Sequence, residues 1–383
     1  MNDISKHLKK LALGGLLLAV PSSALASPLI SVGDNGAIFF NSSATIQWDD
    51  NIFLDAQDEE EDFVFILSPG LEFSAIDTRD VSLRVLYRED FYLYADNSQL
   101  DYNASRVNGD LRYNSEVLEL EAGASLLQSR QNTQDANIPG GQVRRTVIAG
   151  NINGEYAFSD IFSVGAGFSV RDTDYKNQSL RDRTVYTVPV DVFYAVTPLT
   201  SLSLGYRYRH SDIQGGGTGD TDDHFFNIGV RGEFTPALSG RIFAGYQYRD
   251  FDNISSIDGF SFGTDLDYVF TPLVSGTLRL ERDYRINSGG GTVEATGGNL
   301  RLNYMVDPKV TLNGGISYYY HDYRRGSDSG RRDDYLVLNL GGVYNLNEYS
   351  SISANYRLRD NDSNRAASEF TNNTISVSAS VRY

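Results

Sequence analysis

An all-β fold is predicted for this chain: a closed, antiparallel transmembrane β-barrel of about eighteen strands, with short periplasmic turns and longer outer loops. Three features carry that expectation. Apolar and polar side chains alternate with a period of two through many segments. The N-terminus has the layout of an export signal, and the last segment alternates up to a terminal aromatic residue, Tyr383.

The N-terminal layout comes first. Lys6, Lys9 and Lys10 lead into the apolar run of residues 11–20, and Ala24-Leu25-Ala26 has the A-x-A form of a cleavage site. The expected division is a signal peptide over 1–26, a short periplasmic segment over 27–41 and the barrel over 42–383. An uncleaved anchor helix is the alternative, but a spanning helix needs about 20 apolar residues, roughly twice what is present. Residues 1–26 hold three Lys and one Asp, so their loss moves the formal net charge from −17 to −19.

Composition narrows the class. The 36 Gly, 25 Tyr and 20 Phe stand against 2 Met and 1 Trp, and the apolar residues are spread evenly rather than gathered into Leu-rich helical stripes. That distribution suits a cylinder with an apolar outside and a wet inside. The absence of Cys excludes disulfides, thiolate metal sites and thiol catalysis. With 50 acidic against 33 basic residues, nucleic acid is not an expected partner.

The strand ladder follows from side-chain parity. In residues 274–286, Val274, Gly276, Leu278, Leu280, Tyr284 and Ile286 share one face, with Arg282 the exception. Ser275, Thr277, Arg279, Glu281, Asp283 and Arg285 share the other. A helix would mix these residues around its circumference. The expected strands are 42–53, 63–75, 81–95, 101–114, 117–128, 144–158, 161–173, 183–196 and 201–212. They continue as 222–234, 239–251, 259–270, 275–286, 293–305, 310–323, 333–345, 350–361 and 369–383. Strands of soluble sandwiches usually run about 5–6 residues, whereas a tilted membrane span needs about 9–11. An even count brings both chain ends to the periplasm.

Two kinds of connection fix the orientation. Thr197-Pro198, Thr235-Pro236, Thr271-Pro272, Asp307-Pro308 and Leu346-Asn347-Glu348 mark short turns, and 214–221, 287–291 and 324–332 mark longer Gly- and Asp-rich loops. Phe158, Phe234, Phe270, Tyr304, Tyr344 and Tyr383 form a lower aromatic girdle. Tyr206, Tyr208, Tyr246, Tyr248, Tyr318, Tyr320 and Tyr356 form an upper one. The cell outer membrane is the expected location, with its lipid and lipopolysaccharide as surroundings. The alternation ending at Tyr383 resembles the C-terminal signal read by the outer-membrane assembly machinery.

About eighteen strands enclose more space than wall side chains fill, so a watery lumen is expected. Its candidate pore-lining residues are Arg207, Arg209, Arg231, Arg241, Arg279, Glu281, Asp283, Arg285, Arg301, Arg357 and Arg359. The alternative is that such residues merely pair and hydrate the wall. The third outer loop, 129–143, is the longest at 15 residues and contains Pro139-Gly140-Gly141. It either folds inward as a constriction or stands exposed. The run Asp58-Glu59-Glu60-Glu61-Asp62 lacks ordered ligand spacing and is expected to be a solvated loop. His210, His224 and His321 fall near the outer rim without a nucleophile motif, so no catalytic residue, metal or cofactor is expected.

One resemblance adds to this. Trp48-Asp49-Asp50-Asn51-Ile52-Phe53, followed by Ile66-Leu67-Ser68-Pro69-Gly70-Leu71, resembles the putative beta-barrel porin 2 family, as do the Thr-Pro turns and tyrosine-rich strands. The resemblance implies a porin-like conduit associated with exopolysaccharide export, with polysaccharide or export components as partners; passage of small hydrophilic solutes is the other form of the conduit. A non-conducting surface or scaffold barrel, binding a partner through its loops, is the alternative. On the residues themselves, Pro69-Gly70 suggests a bulge or edge in the second strand.

Overall fold

A computed structural model describes residues 28–77, 80–138, 140–177, 179–215, 218–252 and 254–383; the expected signal peptide lies outside them. The strands are β1 (Ile30–Val32), β2 (Gly36–Asp49), β3 (Asp62–Asp77), β4 (Val81–Tyr94), β5 (Tyr102–Asn114), β6 (Leu118–Arg130), β7 (Arg144–Ser159) and β8 (Phe162–Tyr175). Next come β9 (Arg183–Thr197), β10 (Thr200–Ile213), β11 (Thr221–Thr235), β12 (Leu238–Phe251), β13 (Ile257–Thr271) and β14 (Val274–Ile286). The last are β15 (Thr292–Met305), β16 (Val310–Arg325), β17 (Arg332–Asn345), β18 (Ser350–Ser363) and β19 (Phe370–Arg382).

Strands β2 to β19 each pair antiparallel with their sequence neighbours, and β19 returns to β2, which closes the cylinder. The seam is in register from Thr374↔Asp49 to Arg382↔Asn41, and Tyr383 and Phe40 exchange backbone hydrogen bonds below it at 2.6 and 2.8 Å. Closure leaves no barrel edge to satisfy in lipid. The short β1 folds back on the start of β2 as a hairpin turning at Gly33. The first barrel strand therefore begins at Gly36 rather than near 42, so residues 36–41 of the segment expected to precede the barrel are part of its wall.

The burial pattern is inverted relative to a water-soluble protein. Ile228 and Leu204, in mid-strand, are 67% and 64% exposed, and Leu202, Phe226, Ile316 and Val377 join the same outer surface. Side chains of opposite parity, such as Asp223, Gln247, Arg249, Asp333 and Asn372, are fully buried. A continuous outer band of this size is stable only against hydrocarbon.

The Thr-Pro turns have a local cause. Thr235 Oγ1 accepts from the Ala237 and Leu238 amides at 3.3 and 3.0 Å, and Thr271 Oγ1 from those of Leu273 and Val274 at 3.2 and 3.1 Å. Asp307 and Asn347 do the same two turns later. The side chain acts as a backbone mimic that reverses the strand within a few residues.

Pro69-Gly70 does not make a bulge. The β2–β3 ladder runs without a shift, and the β3–β4 ladder passes over Ser68 and Pro69 and resumes in the same register, from Leu67↔Phe91 to Gly70↔Arg88. Proline lacks the donor for one rung. Gly70 permits close approach there, since a Cβ would meet the Tyr87 carbonyl at 2.6 Å.

Candidate functional site: the lumen and the loops across it

The expected pore-lining residues lie on the inner parity, and several make ion pairs between strands that are not neighbours. Arg207 and Arg209 of β10 reach Asp283 of β14 at 3.1 and 3.0 Å. Arg241 of β12 reaches Asp191 of β9 at 2.8 Å, over Gly205, where a Cβ would sit 2.3 Å from the Asp191 carboxylate. Arg231 of β11 pairs with Glu155 of β7 and lies over the Phe193 ring. These contacts bridge over intervening strands on the inner wall instead of following the ladder. Others are local: Arg279 with Asp265, Arg285 with Glu281, and Arg359 with Asn372. Among the described residues, Arg301 and Arg357 have no carboxylate partner.

On the wall of the upper lumen, Asp223 of β11 is held between Arg209 of β10 and Arg249 of β12, its partners in the two flanking ladders, and both Asp223 and Arg249 are fully buried. Charges removed from water need this density of partners. The sequence reading missed Asp223 and Arg249; their inner parity in β11 and β12 is the signal that could have found them.

The Trp48–Phe53 motif is a device for turning the first loop inward. The first strand ends at Asp49, four residues before the expected end, because the Asn51 side chain replaces the ladder. Asn51 Nδ2 donates to the carbonyls of Asp55 and Thr371 at 2.8 and 3.0 Å, and its Oδ1 accepts from the Asp55 amide at 2.9 Å. Asp49 and Asp50 accept from Asn372 and Asn373 of β19 at 2.6 to 2.7 Å. The loop that follows, L1 (50–61), buries Ile52, Phe53 and Leu54. In the acidic run that closes L1, Asp58 to Glu61 are exposed. Asp62 is instead a buried acceptor for the amides of Ala95, Asp96 and Asn97.

The third outer loop, L3 (131–143), folds inward. Asn132 Nδ2 donates to the Phe53 carbonyl at 2.6 Å and Asn137 Nδ2 to that of Leu54 at 2.7 Å, which joins L3 to L1. Ala136 and Val143 are buried with Tyr175 beneath it. From there the loop reaches the far wall. Gln134 Nε2 donates to Asp333 at 2.6 Å and to the Tyr323 hydroxyl at 3.1 Å.

L3 also meets the tip of the β14–β15 hairpin, L7 (287–291), which bends into the lumen. The β13–β14 ladder stops at Phe262↔Arg282, and above it β14 parts from β13 while β15 stays paired with β16 up to Thr292↔Arg325. Arg209 then donates to the Tyr284 carbonyl at 2.6 Å, and Arg249 to Thr292 Oγ1 at 3.0 Å. Ser288 takes its amide to Asp135 Oδ1 at 3.0 Å and its hydroxyl to the Asp135 carbonyl at 2.6 Å. The amide of Arg181 donates to the Ser288 carbonyl at 2.8 Å, and Asn287 donates to Asp328 at 3.0 Å. L7 is thereby bonded to three other loops over the outer mouth, and through L3 to L1.

Several cavities line the inner side. The upper chamber, about 460 Å³, lies beneath L3 and L7 and is lined by arginines; a lower one, about 620 Å³, opens at the periplasmic end among Glu116, Glu119, Glu155, Asp265 and Asp267, with Arg231 and Arg241 beside them. His210 and His224 lie on the outer surface, in the upper girdle. His210 is 3.0 Å from Asp222, and His224 is 2.8 Å from the Tyr206 hydroxyl. His321 is buried on the inner side. The described residues contain no cluster of three metal-capable side chains.

Comparison with known proteins agrees with the architecture. Among solved structures, the FrpB iron transporter from Neisseria meningitidis (F5-1 variant) is similar at 10% identity, over 92% of this chain and 83% of its own, with a TM-score of 0.52. OpdK and OpdL from Pseudomonas aeruginosa are each 13% identical; they cover 90% and 92% of this chain and 99% of their own, with TM-scores of 0.47 and 0.48. None of the curated protein sequences matches. The family model of the putative beta-barrel porin 2 family matches residues 37–383, nearly the whole described barrel, and the chain is a member of that family of outer-membrane porins.

Proposed function

We propose that this barrel is a passive, loop-gated channel for hydrophilic solutes across the outer membrane. The carrying observation is the charged inner wall, which leads from the acidic periplasmic chamber to the basic chamber under L3 and L7. Eighteen strands leave room for water, and paired charges of both signs line it without setting a strong ion preference. On this reading the eleven candidate residues, from Arg207 to Arg359, line the path. The loops set its narrowest point, and solutes pass when L3 or L7 moves. Exopolysaccharide passage is the larger form of the same proposal and requires the whole L1–L3–L7 assembly to swing outward.

Conductance of the purified barrel in a planar bilayer tests the reading. Discrete, salt-dependent current steps are expected. Silence from protein with a verified β-barrel spectrum would overturn the channel and favour the non-conducting scaffold. Steps accompanied by release of labelled polysaccharide from proteoliposomes would extend the proposal to polymer.

A further inference from the structure

The upper chamber carries more basic charge than its own carboxylates balance. Arg171, Arg183, Arg209, Arg249 and Arg285 line it, and Asp135 is the acidic residue among the lining side chains. Arg209 and Arg249 are held from behind by Asp223 and Asp283, and Arg285 by Glu281. Arg183 donates to the Asn287 carbonyl at 2.7 Å, but its nearest carboxylate, Asp135, is 3.9 Å away. The guanidinium of Arg171, an exposed residue of inner parity on β8, has no hydrogen-bond or ion-pair partner among the described residues. Even with the carboxylates behind them included, the five lining guanidiniums face only Asp135, Asp223, Asp283 and Glu281 around one half-open space.

From this we infer that the upper chamber is a binding site for an oxyanion-bearing hydrophilic solute, a carboxylate or phosphate on a body of sugar size. The inference rests on the solute-channel reading above and names the class of solute. A volume of about 460 Å³ lies in the range of small-ligand sites. Guanidiniums present paired donors matched to carboxylate and phosphate oxygens. Arg171 and Arg183 supply the uncommitted donors, Arg209 and Arg249 a fixed positive background, and L3 and L7 the roof.

Titration calorimetry on the barrel purified from outer membranes in detergent tests this, with glucuronate, glucose and inorganic phosphate as probes. Saturable glucuronate binding that weakens with salt is expected, with no binding of glucose. R171Q should weaken glucuronate binding roughly tenfold, the scale of one charge-assisted hydrogen bond, and R325Q at the outer rim should leave it unchanged. Phosphate binding as tightly as glucuronate would assign recognition to the oxyanion alone; weaker phosphate binding would assign part of it to the sugar. Equal binding of glucose and glucuronate, or an R171Q barrel of unchanged spectrum and affinity, would overturn the inference. Binding is read without current. A conducting barrel that binds no anion therefore refutes the site and leaves the channel, whereas an anion-binding but silent barrel refutes the channel and leaves the site.

Discussion

Releasing L3 from the far wall should change how often the lumen is open. The double substitution Q134A/D135A removes three side-chain hydrogen bonds: Gln134 to Asp333 at 2.6 Å, Gln134 to Tyr323 at 3.1 Å, and the Ser288 amide to Asp135 at 3.0 Å. A net hydrogen bond contributes about 0.5–1.5 kcal/mol, and more where one partner is charged, so their sum is roughly 2–4 kcal/mol. The lower end applies, because Asp333 keeps Arg331 and Ser363 as partners and water can reach the freed groups. About 2 kcal/mol corresponds to a shift of roughly thirtyfold between latched and released L3. The backbone contact from Asp135 to the Ser288 hydroxyl survives, so the loop loosens without being lost. Single-channel recording should show a large rise in open probability, with the strand spectrum unchanged. An open probability within about twofold of wild type would refute the reasoning, because the three bonds would then hold nothing that gates.

Four further outcomes rest on the same structure. R249A leaves the buried Asp223 with Arg209 as its remaining cation and should lower stability by about 1.5–3 kcal/mol, the scale of a lost charge-assisted hydrogen bond, measured as the urea midpoint of barrel unfolding. R279A breaks a pair whose side chains are about half exposed and should cost at most ~1 kcal/mol in the same assay. I228R places a guanidinium on the outer face in mid-strand and should cost about 2–4 kcal/mol in refolding into bilayers, whereas N227R, one residue along and facing the lumen, should fold. Removal of Tyr383 deletes the backbone exchange with Phe40 that ends the seam and should reduce the folded fraction recovered from outer membranes, read by heat-modifiable migration on gels.

The wall was legible because strand parity is a strictly local signal. Leu202, Leu204 and Tyr206 must face lipid if Ser203, Gly205 and Arg207 face water, and no distant contact can reverse that. The loops were less legible, for physical reasons. The apolar Ile52 and Phe53 follow closely on the first strand and extend its expected end to Phe53; the Asn51 side chain, closing on Asp55 and Thr371, ends it at Asp49. Loop 129–143 has the same polarity whether exposed or folded inward. Only its partners decide, and Asp333 and Ser288 lie over 150 residues away in the chain. The β14–β15 tip keeps its alternation where β14 parts from β13, and Glu294 and Tyr284, of outward parity, are buried. Pro69-Gly70 seemed to interrupt a strand, yet a missing donor on one rung leaves the register intact.

The central claim is that solutes pass only when L3 and L7 separate, and a reversible tether tests it most directly. The chain has no cysteine, so D135C/S288C introduces a unique thiol pair where the two loops already touch. The account predicts that oxidised protein shows small or absent current steps, and that a reductant restores full steps in the same bilayer. Identical steps before and after reduction, with the disulfide verified by mass, would contradict it.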